Sequence, residues 1–486
     1  MIPLLGFAPD APTTTPGILL DCTNFIPYES GMKAAPSAVV YSAALALECR
    51  GAASVTKLDN SRRVFAGTAA DMYELSGTTW NDVSRVANYT LGAETEWSFA
   101  QFGDTSVASN IDTVIQTSSS GAFADQATAP QAKIVVSVLS SGGGFVFGFN
   151  TIDATYGTSP DRWWCCALNN VTLWTPSVTT QATTGRLLGS EGPITAAIRL
   201  GSDRVVAFKD DAIYVGSYAG PPTVWAWTEI PNIGCAGMRA VADLGTSLFV
   251  VGLDDMYLFD GARPAPLADN ACKVWFNENC SGTYRHRTIV TYDRPNSRVF
   301  VFFVSAASST GARDRCLVYH LKTGQWGRAD RSVEAAMMFT QPTLTFDADS
   351  GTFDAATGVF DEATVGSELM AVFNTSHELA TLSGSPAASD FTLHDIGDDD
   401  KVTRLTEARL RYMTQPDSAS MSAFSSMATG GGVTSGALQT AHDTPSDGNN
   451  RFPLRQTARW HRLKFSFTGN CEVGGYRVPL QEAGKR

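Results

Sequence analysis

Adjacent carboxylates, histidines, cysteines and paired tryptophans are the residue types in this sequence that could do chemistry. Asp210-Asp211 and Asp254-Asp255 supply the two carboxylates that glycoside hydrolysis uses, one as acid and one as nucleophile or base. Each pair sits between two apolar runs, where Asp is favoured because its side chain bonds nearby backbone N–H groups, so turn chemistry is the expectation. The histidines, His286, His320, His377, His394, His442 and His461, are scattered and form neither HExxH nor another metal pair. No GxSxG, Walker A or dinucleotide signature stands in a suitable context, and Gly142-Gly143-Gly144 opens no helix and reads as a turn. Phe346-Asp347, Phe353-Asp354 and Phe360-Asp361 recur at a fixed heptad spacing with Gly-bearing turns. That spacing fits neither an EF-hand nor a calcium β-roll, so a structural ribbon is expected rather than a metal site. Trp163-Trp164 and Trp225-Ala226-Trp227 could stack sugar rings, although packing between sheets explains them more simply. The sequence thus nominates no catalytic, no cofactor-binding and no metal-ligating residue, and the reading is of a protein that is not an enzyme and needs no cofactor.

The elements around these residues repeat. Leu248-Phe249-Val250-Val251, then Leu253-Asp254-Asp255, then Met256-Tyr257-Leu258-Phe259 reads as an apolar strand, a tight polar turn and an aromatic return strand. Val205 to Val215 and Val64 to Leu75 repeat the pattern. Further short strands are expected around Trp97, Val107, Lys133, Phe145, Trp163, His286, Arg298 and Leu317. Tyr73 to Trp80 and Tyr319 to Trp326 share a Tyr–Trp pair around a Gly-containing turn, which would let the Trp cover the gap to the next unit. Hairpins at roughly 40–60 residue intervals predict the blades of a β-propeller. The fold class is therefore all-β, a propeller with a smaller C-terminal β platform or tip. The expected divisions are an extended N-terminal arm and docking segment over 1–50, the propeller over 51–340 and the platform over 341–486. The arm, rich in X-Pro, disfavours helix and is expected to dock on a neighbouring subunit, so that deleting 9–36 would leave the propeller folded. A short helix is expected over Ala38 to Cys49, platform strands over Ala371 to Leu382, Arg404 to Met413 and Trp460 to Phe467, and a long mobile loop over the Ser/Gly/Thr-rich 415–450.

Bulk properties narrow the class. Low charge content, 43 glycines and 10% aromatic residues suit a turn-rich β protein with few amphipathic helices. The formal charge of −12 argues against a nucleic-acid grip, which leaves a basic footprint; Arg404, Arg409 and Arg411 follow Asp398-Asp399-Asp400 and read as a solvated edge. Nine cysteines without a regular framework suggest reduced, buried thiols in a cytosolic product. No signal peptide or membrane span is expected.

Several runs carry a family resemblance when taken in order. They are Thr15-Pro16-Gly17 with Asp21-Cys22-Thr23-Asn24-Phe25-Ile26-Pro27, Gly31 and Pro36-Ser37; Phe65-Ala66-Gly67-Thr68 with Tyr73 and Trp80-Asn81-Asp82-Val83-Ser84; Trp97-Ser98-Phe99-Ala100-Gln101-Phe102-Gly103-Asp104; Phe208 to Gly216; Leu317-Val318-Tyr319 with Gly324-Gln325-Trp326; and Arg459-Trp460-His461-Arg462 with the terminal Gly484-Lys485-Arg486. The order resembles the tail nozzle proteins (tail tubular protein B-like, head-completion) of short-tailed bacteriophages; the loop over 415–450 departs from the pattern. The resemblance implies a structural virion protein assembled in the host cytoplasm: a head-to-tail connector subunit of a hexameric ring in the virion tail. The ring would extend the channel made by the portal and its adaptor protein, retain packaged DNA and conduct it at ejection. Implied partners are other copies of the chain, the adaptor and tail fibres or tail spikes, with genomic DNA passing through the lumen without specific binding. The alternative is a propeller that binds or hydrolyses carbohydrate.

Overall fold

The computed structural model describes residues 1–340, 368–428, 439–445 and 450–485. The three Phe-Asp repeats lie outside the described residues. Seven four-stranded antiparallel blades are built, six of them from consecutive strands over 52–82, 98–125, 131–186, 196–231, 241–266 and 289–328. The seventh joins Ala335–Thr340, Glu368–Phe373 and Glu378–Gly384 to Ser37–Ala44 from the N-terminal side. The first strands, Ala52–Thr56, Ser98–Phe102, Gln131–Ser140, Ala196–Leu200, Val241–Asp243, Ile289–Asp293 and Ala335–Thr340, each lie against the next, and the last lies against the first. That closed ring of inner strands makes the molecule a β-propeller, with no exposed inner edge.

Alternation within the hairpins builds the blades. Leu248 to Val251 pairs with Met256 to Phe259, Val205 to Phe208 with Ile213 to Gly216, and Phe65 to Gly67 with Met72 to Glu74, as the repeat predicts. Return-strand tyrosines anchor blades to the linkers that enter them. Tyr257 donates to the Gly234 carbonyl at 2.8 Å, and Tyr214 bonds Ser190 at 2.9 Å. The Tyr–Trp turns have Gly77 and Gly324 at φ of 61° and 69°, a left-handed conformation that glycine adopts without Cβ strain. The outer-strand tryptophans reach back to the preceding blade rather than on to the next. Trp80 packs on Phe373 of blade seven at 5.7 Å and donates to Ser42 at 3.0 Å. Trp326 packs on Phe249 of blade five. Trp225 packs on Phe147 of blade three at 4.8 Å, and Trp227 on Trp163 at 5.4 Å.

Most of the remaining described residues at the two ends of the chain form a two-sheet platform. One sheet contains Phe25–Tyr28, Gly31–Ala34, Glu472–Arg477, Lys401–Thr414 and Arg451–Ala458, and continues into blade six through Phe25 beside Arg328. The other contains Gly6–Phe7, Ile18–Thr23, Ser389–Leu393, Trp460–Thr468, Ser418–Ser426 and Gln439–Pro445. Phe25 packs against both Phe391 and Phe467, at 5.1 and 5.9 Å, and one buried core runs from these residues into blades four to six. The Arg459-Trp460-His461-Arg462 run fastens this region. Arg462 pairs with Asp395 at 2.8 Å, Trp460 donates to Asp399, and the buried His461 contacts Gln456 at 2.9 Å and Thr403 at 3.1 Å.

Several expectations are corrected. The segment over 1–50 is not a separate docking arm: Ile18, Leu19, Cys22, Phe25 and Ile26 are buried within their own chain, and Asp10 accepts the Val274 and Trp275 amides of the short helix Lys273–Asn279 at 2.6 and 3.0 Å. Deleting 9–36 would therefore strip the platform. Of the residues expected to be helical, Ala38 to Ala44 lie in the strand Ser37–Ala44, because their apolar run completes blade seven, and Leu45 to Cys49 form neither helix nor strand. The propeller extends past 340, since Glu368–Phe373 and Glu378–Gly384 belong to blade seven. Within 415–450, Ser418–Ser426 and Gln439–Pro445 pair as strands.

Truncating Phe25 to Ala should cost about 3–5 kcal/mol, read as a lowered urea midpoint; an unchanged midpoint would refute its central place in the platform. His461 supplies a pH test. Burial pushes its pKa down from 6.5 to about 4, so the unfolded chain takes up a proton over that window that the folded ring refuses. The contribution is present above pH 6.5 and is lost as pH falls toward 4, by about 3 kcal/mol. His461→Gln should flatten that limb of the stability curve.

Candidate functional site

The loops that precede the inner strands converge at one end of the propeller axis on a charged basin of about 420 Å³. Glu48 and Arg50 enter from before blade one, Glu94 and Glu96 from before blade two, Lys133 from blade three, His286 and Arg287 from before blade six, and Arg313 and Glu334 from the edges of blades six and seven. Met238 lines both the basin and an adjoining axial channel of about 540 Å³, walled by the inner strands of blades one to four.

Glu96 is the electrostatic centre. Its two oxygens take Arg313 at 2.5 Å and Arg239 at 3.3 Å. Burial would raise its pKa, but the two guanidiniums outweigh burial and hold the carboxyl below the ordinary range. Arg313 also donates to the Glu334 carbonyl at 2.7 Å, and Arg239 to the Trp97 carbonyl at 2.7 Å. Glu94 pairs with Arg287 at 2.5 Å and meets His286 at 3.1 Å; the Arg287 hydrogen bond leads in holding its carboxyl down at about 2. Glu334 behaves oppositely: burial pushes it up, although the Cys49 amide at 2.9 Å and the His377 ring at 2.6 Å pull the other way. Cys49 is buried and its thiol is pushed up by burial to about 12, the reverse of what a nucleophile needs. Glu94, Glu96, Arg239, Arg287 and Arg313 form ion pairs across the basin, an arrangement suited to holding loops across the axis.

The residues singled out from the sequence are placed as follows. Asp210, Asp211 and Asp254 are exposed at hairpin turns, and Asp255 accepts Lys273 at 2.7 Å; none lines the basin, the channel or the junction cavity beside the platform. Lys209, from the same turn sequence, is buried and donates to the Leu187 and Ser190 carbonyls at 2.7 and 2.6 Å, a structural use. All nine cysteines are buried and unpaired. Cys165 and Cys166 enter different core clusters, as adjacent strand residues should. No group of three His, Cys, Asp or Glu able to hold a metal occurs among the described residues. Trp163, Trp164 and Trp225 are buried between blades. The scattered histidines hid a partial convergence, since His286 and His377 both reach carboxylates of the basin. Arg409, suspected of a charged edge, pairs with Glu407 at 2.9 Å. No helix among the described residues is long and apolar enough to cross a membrane.

No family profile and no curated protein matches this chain. Among solved structures it is similar to YCF48 bound to a D1 peptide, with TM-score 0.38, 10% identity, and 74% of this chain and 97% of that one covered. It is also similar to the extracellular domain of the putative hybrid two-component system BT4673 from B. thetaiotaomicron, with TM-score 0.43, 7% identity, and 76% of this chain but 46% of that one covered. Scores this low carry no argument, so the propeller assignment stands on the blade topology and the closed ring of inner strands.

Replacing Glu96 with Gln leaves two largely buried guanidiniums without their anion and should cost about 3 kcal/mol. Glu94→Gln removes an exposed partner and should cost under about 1 kcal/mol. Denaturant titration of the two variants decides this, and a larger loss for Glu94→Gln would refute the central place of Glu96.

Proposed function

We propose that the chain is a structural, non-enzymatic subunit of a ring-shaped tail nozzle in a short-tailed bacteriophage, extending the channel of the portal and adaptor. One observation carries the reading: the runs that resemble the nozzle family build joints between parts of the fold. Phe65-Ala66-Gly67-Thr68 receives Trp97, whose indole donates to the Thr68 carbonyl at 2.9 Å over a Gly67 that leaves no room for a Cβ. Asp21 of the N-terminal run pairs with Arg328 of blade six at 2.7 Å, Gly324-Gln325-Trp326 lies against the arm, with Gln325 donating to the Leu4 carbonyl at 3.0 Å, and Arg459-Trp460-His461-Arg462 fastens the platform. Residues that fix geometry are what a scaffold subunit needs. The excess of acidic charge, −12, suits a conduit for a polyanion, because each Lys or Arg contact to phosphate releases counterions and adds adhesion. The DNA path in this reading is the lumen between subunits, since the ion-paired side chains of the basin lie across one end of the propeller axis. The carbohydrate reading loses support, because Trp163 and Trp225 are packed between blades three and four and Trp164 between blades two and three.

Electron microscopy and light scattering of the purified chain, alone and with the portal–adaptor complex, test the proposal. Sixfold rings, or a monomer that assembles onto the adaptor, are expected. A monomer that never joins a ring and binds oligosaccharide would overturn it.

A further inference from the structure

The propeller meets the platform around a cavity of about 310 Å³ lined by Tyr28, Lys33, Asn296, Arg298, Ser385 and Asn470 among others. Arg298 stands on the second strand of blade six, Lys33 on the platform strand Gly31–Ala34, and Ser385 in the connection that follows Glu378–Gly384. Arg298 is 7% exposed, yet its one hydrogen bond among the described residues runs from Nη2 to Asp293 Oδ2 at 3.3 Å, and its buried Nε has no partner. Asp293 is itself shared, accepting both contacts of the Asn296 amide at 3.0 Å. Burial pushes the pKa of Arg298 down, only partly offset by Asp293. Lys33 makes no ion pair among the described residues and lies over the Tyr28 ring at 5.2 Å. A nearly buried guanidinium with free donors is costly unless an anion completes it.

We infer that this junction cavity is an oxyanion site, in which Arg298 and Lys33 hold a phosphate or carboxylate group between blade six and the platform. The guanidinium fork presents several N–H groups to one tetrahedral or planar anion. Lys33 adds a second positive charge from the platform, and Tyr28 and Asn470 border the same space. Because the two cations belong to different parts of the fold, a bound anion would tie those parts together, and it would stabilise only the native state. The inference does not depend on the nozzle reading.

Thermal unfolding of the full chain, titrated with inorganic phosphate or with sodium acetate at constant ionic strength set by sodium chloride, tests the site. A saturable rise in Tm with phosphate alone identifies a phosphate site, and one with acetate identifies a carboxylate site. Arg298→Gln should weaken half-saturation at least tenfold, and Lys33→Gln severalfold. Lys33 is partly exposed, so Lys33→Gln decides the matter if Arg298→Gln folds poorly. The inference is overturned if neither anion gives a saturable shift beyond chloride, or if the folded variants titrate like the unsubstituted protein.

Discussion

Ring closure is the constraint on which the rest of this structure depends. A propeller leaves an unsatisfied edge unless its last blade is completed, and here the completing strand, Ser37–Ala44, lies hundreds of residues from Glu378–Gly384, the strand it pairs with. Residues before that strand cannot trail away freely, because they leave the rim of blade seven toward the platform. There Gly31–Ala34 pairs with Glu472–Arg477 and Phe25–Tyr28 pairs with blade six. Closure thus fixes where the N-terminal strands begin, and the platform is the second structure that this placement permits. The large loop-closure entropy of joining both chain ends is offset by burial of Phe25, Phe391, Phe465 and Phe467 in one shared core.

The axial basin complements closure with electrostatics. Glu96 comes from the entry to blade two, Arg239 from the entry to blade five and Arg313 from between strands of blade six, so one carboxylate braces three sectors of the ring. Such a triad is not automatically stabilising, since desolvation of the charges opposes their attraction. Its value lies in geometry. The Trp97 carbonyl bonded by Arg239 belongs to the residue whose indole is wedged over Gly67, so the brace also locates the hinge between blades one and two.

How much of this was legible follows from the range of the interactions. The hairpins are local, so an apolar strand, an Asp turn and an aromatic return could be read directly, and so could the Tyr–Trp pair about a left-handed glycine. The direction in which Trp80 and Trp326 pack depends on blade twist and was not local. Ser37–Ala44 misled because Ala-rich runs favour helix intrinsically, while tertiary pairing imposed a strand. Ser418–Ser426 looked like a loop because five of its residues are serine and two are alanine, small side chains that give little amphipathic contrast around the buried Met421. The basin was invisible in the sequence: Glu96, Arg239 and Arg313 are far apart along the chain and none sits in a motif. Of the conspicuous carboxylate pairs, Asp210, Asp211 and Asp254 are exposed turn residues and Asp255 pairs with Lys273, because adjacency in sequence is a poor guide to convergence in a fold whose basin is gathered from segments far apart along the chain.

If the chain builds the proposed ring, stiffness would link these features to assembly. A subunit in a closed ring uses two different faces, and the ring closes only if the angle between them is fixed by the rotation per subunit. A free hinge between propeller and platform would spread that angle and favour open or mixed assemblies. The continuous core through blades four to six, the Asp21–Arg328 pair and the shared sheet all oppose such a hinge. The junction cavity interrupts this continuity with the buried, incompletely satisfied Arg298 and the partly exposed Lys33. An anion there would act on the same angle that the hydrophobic core sets, and a subunit without it would be softest where ring geometry tolerates softness least.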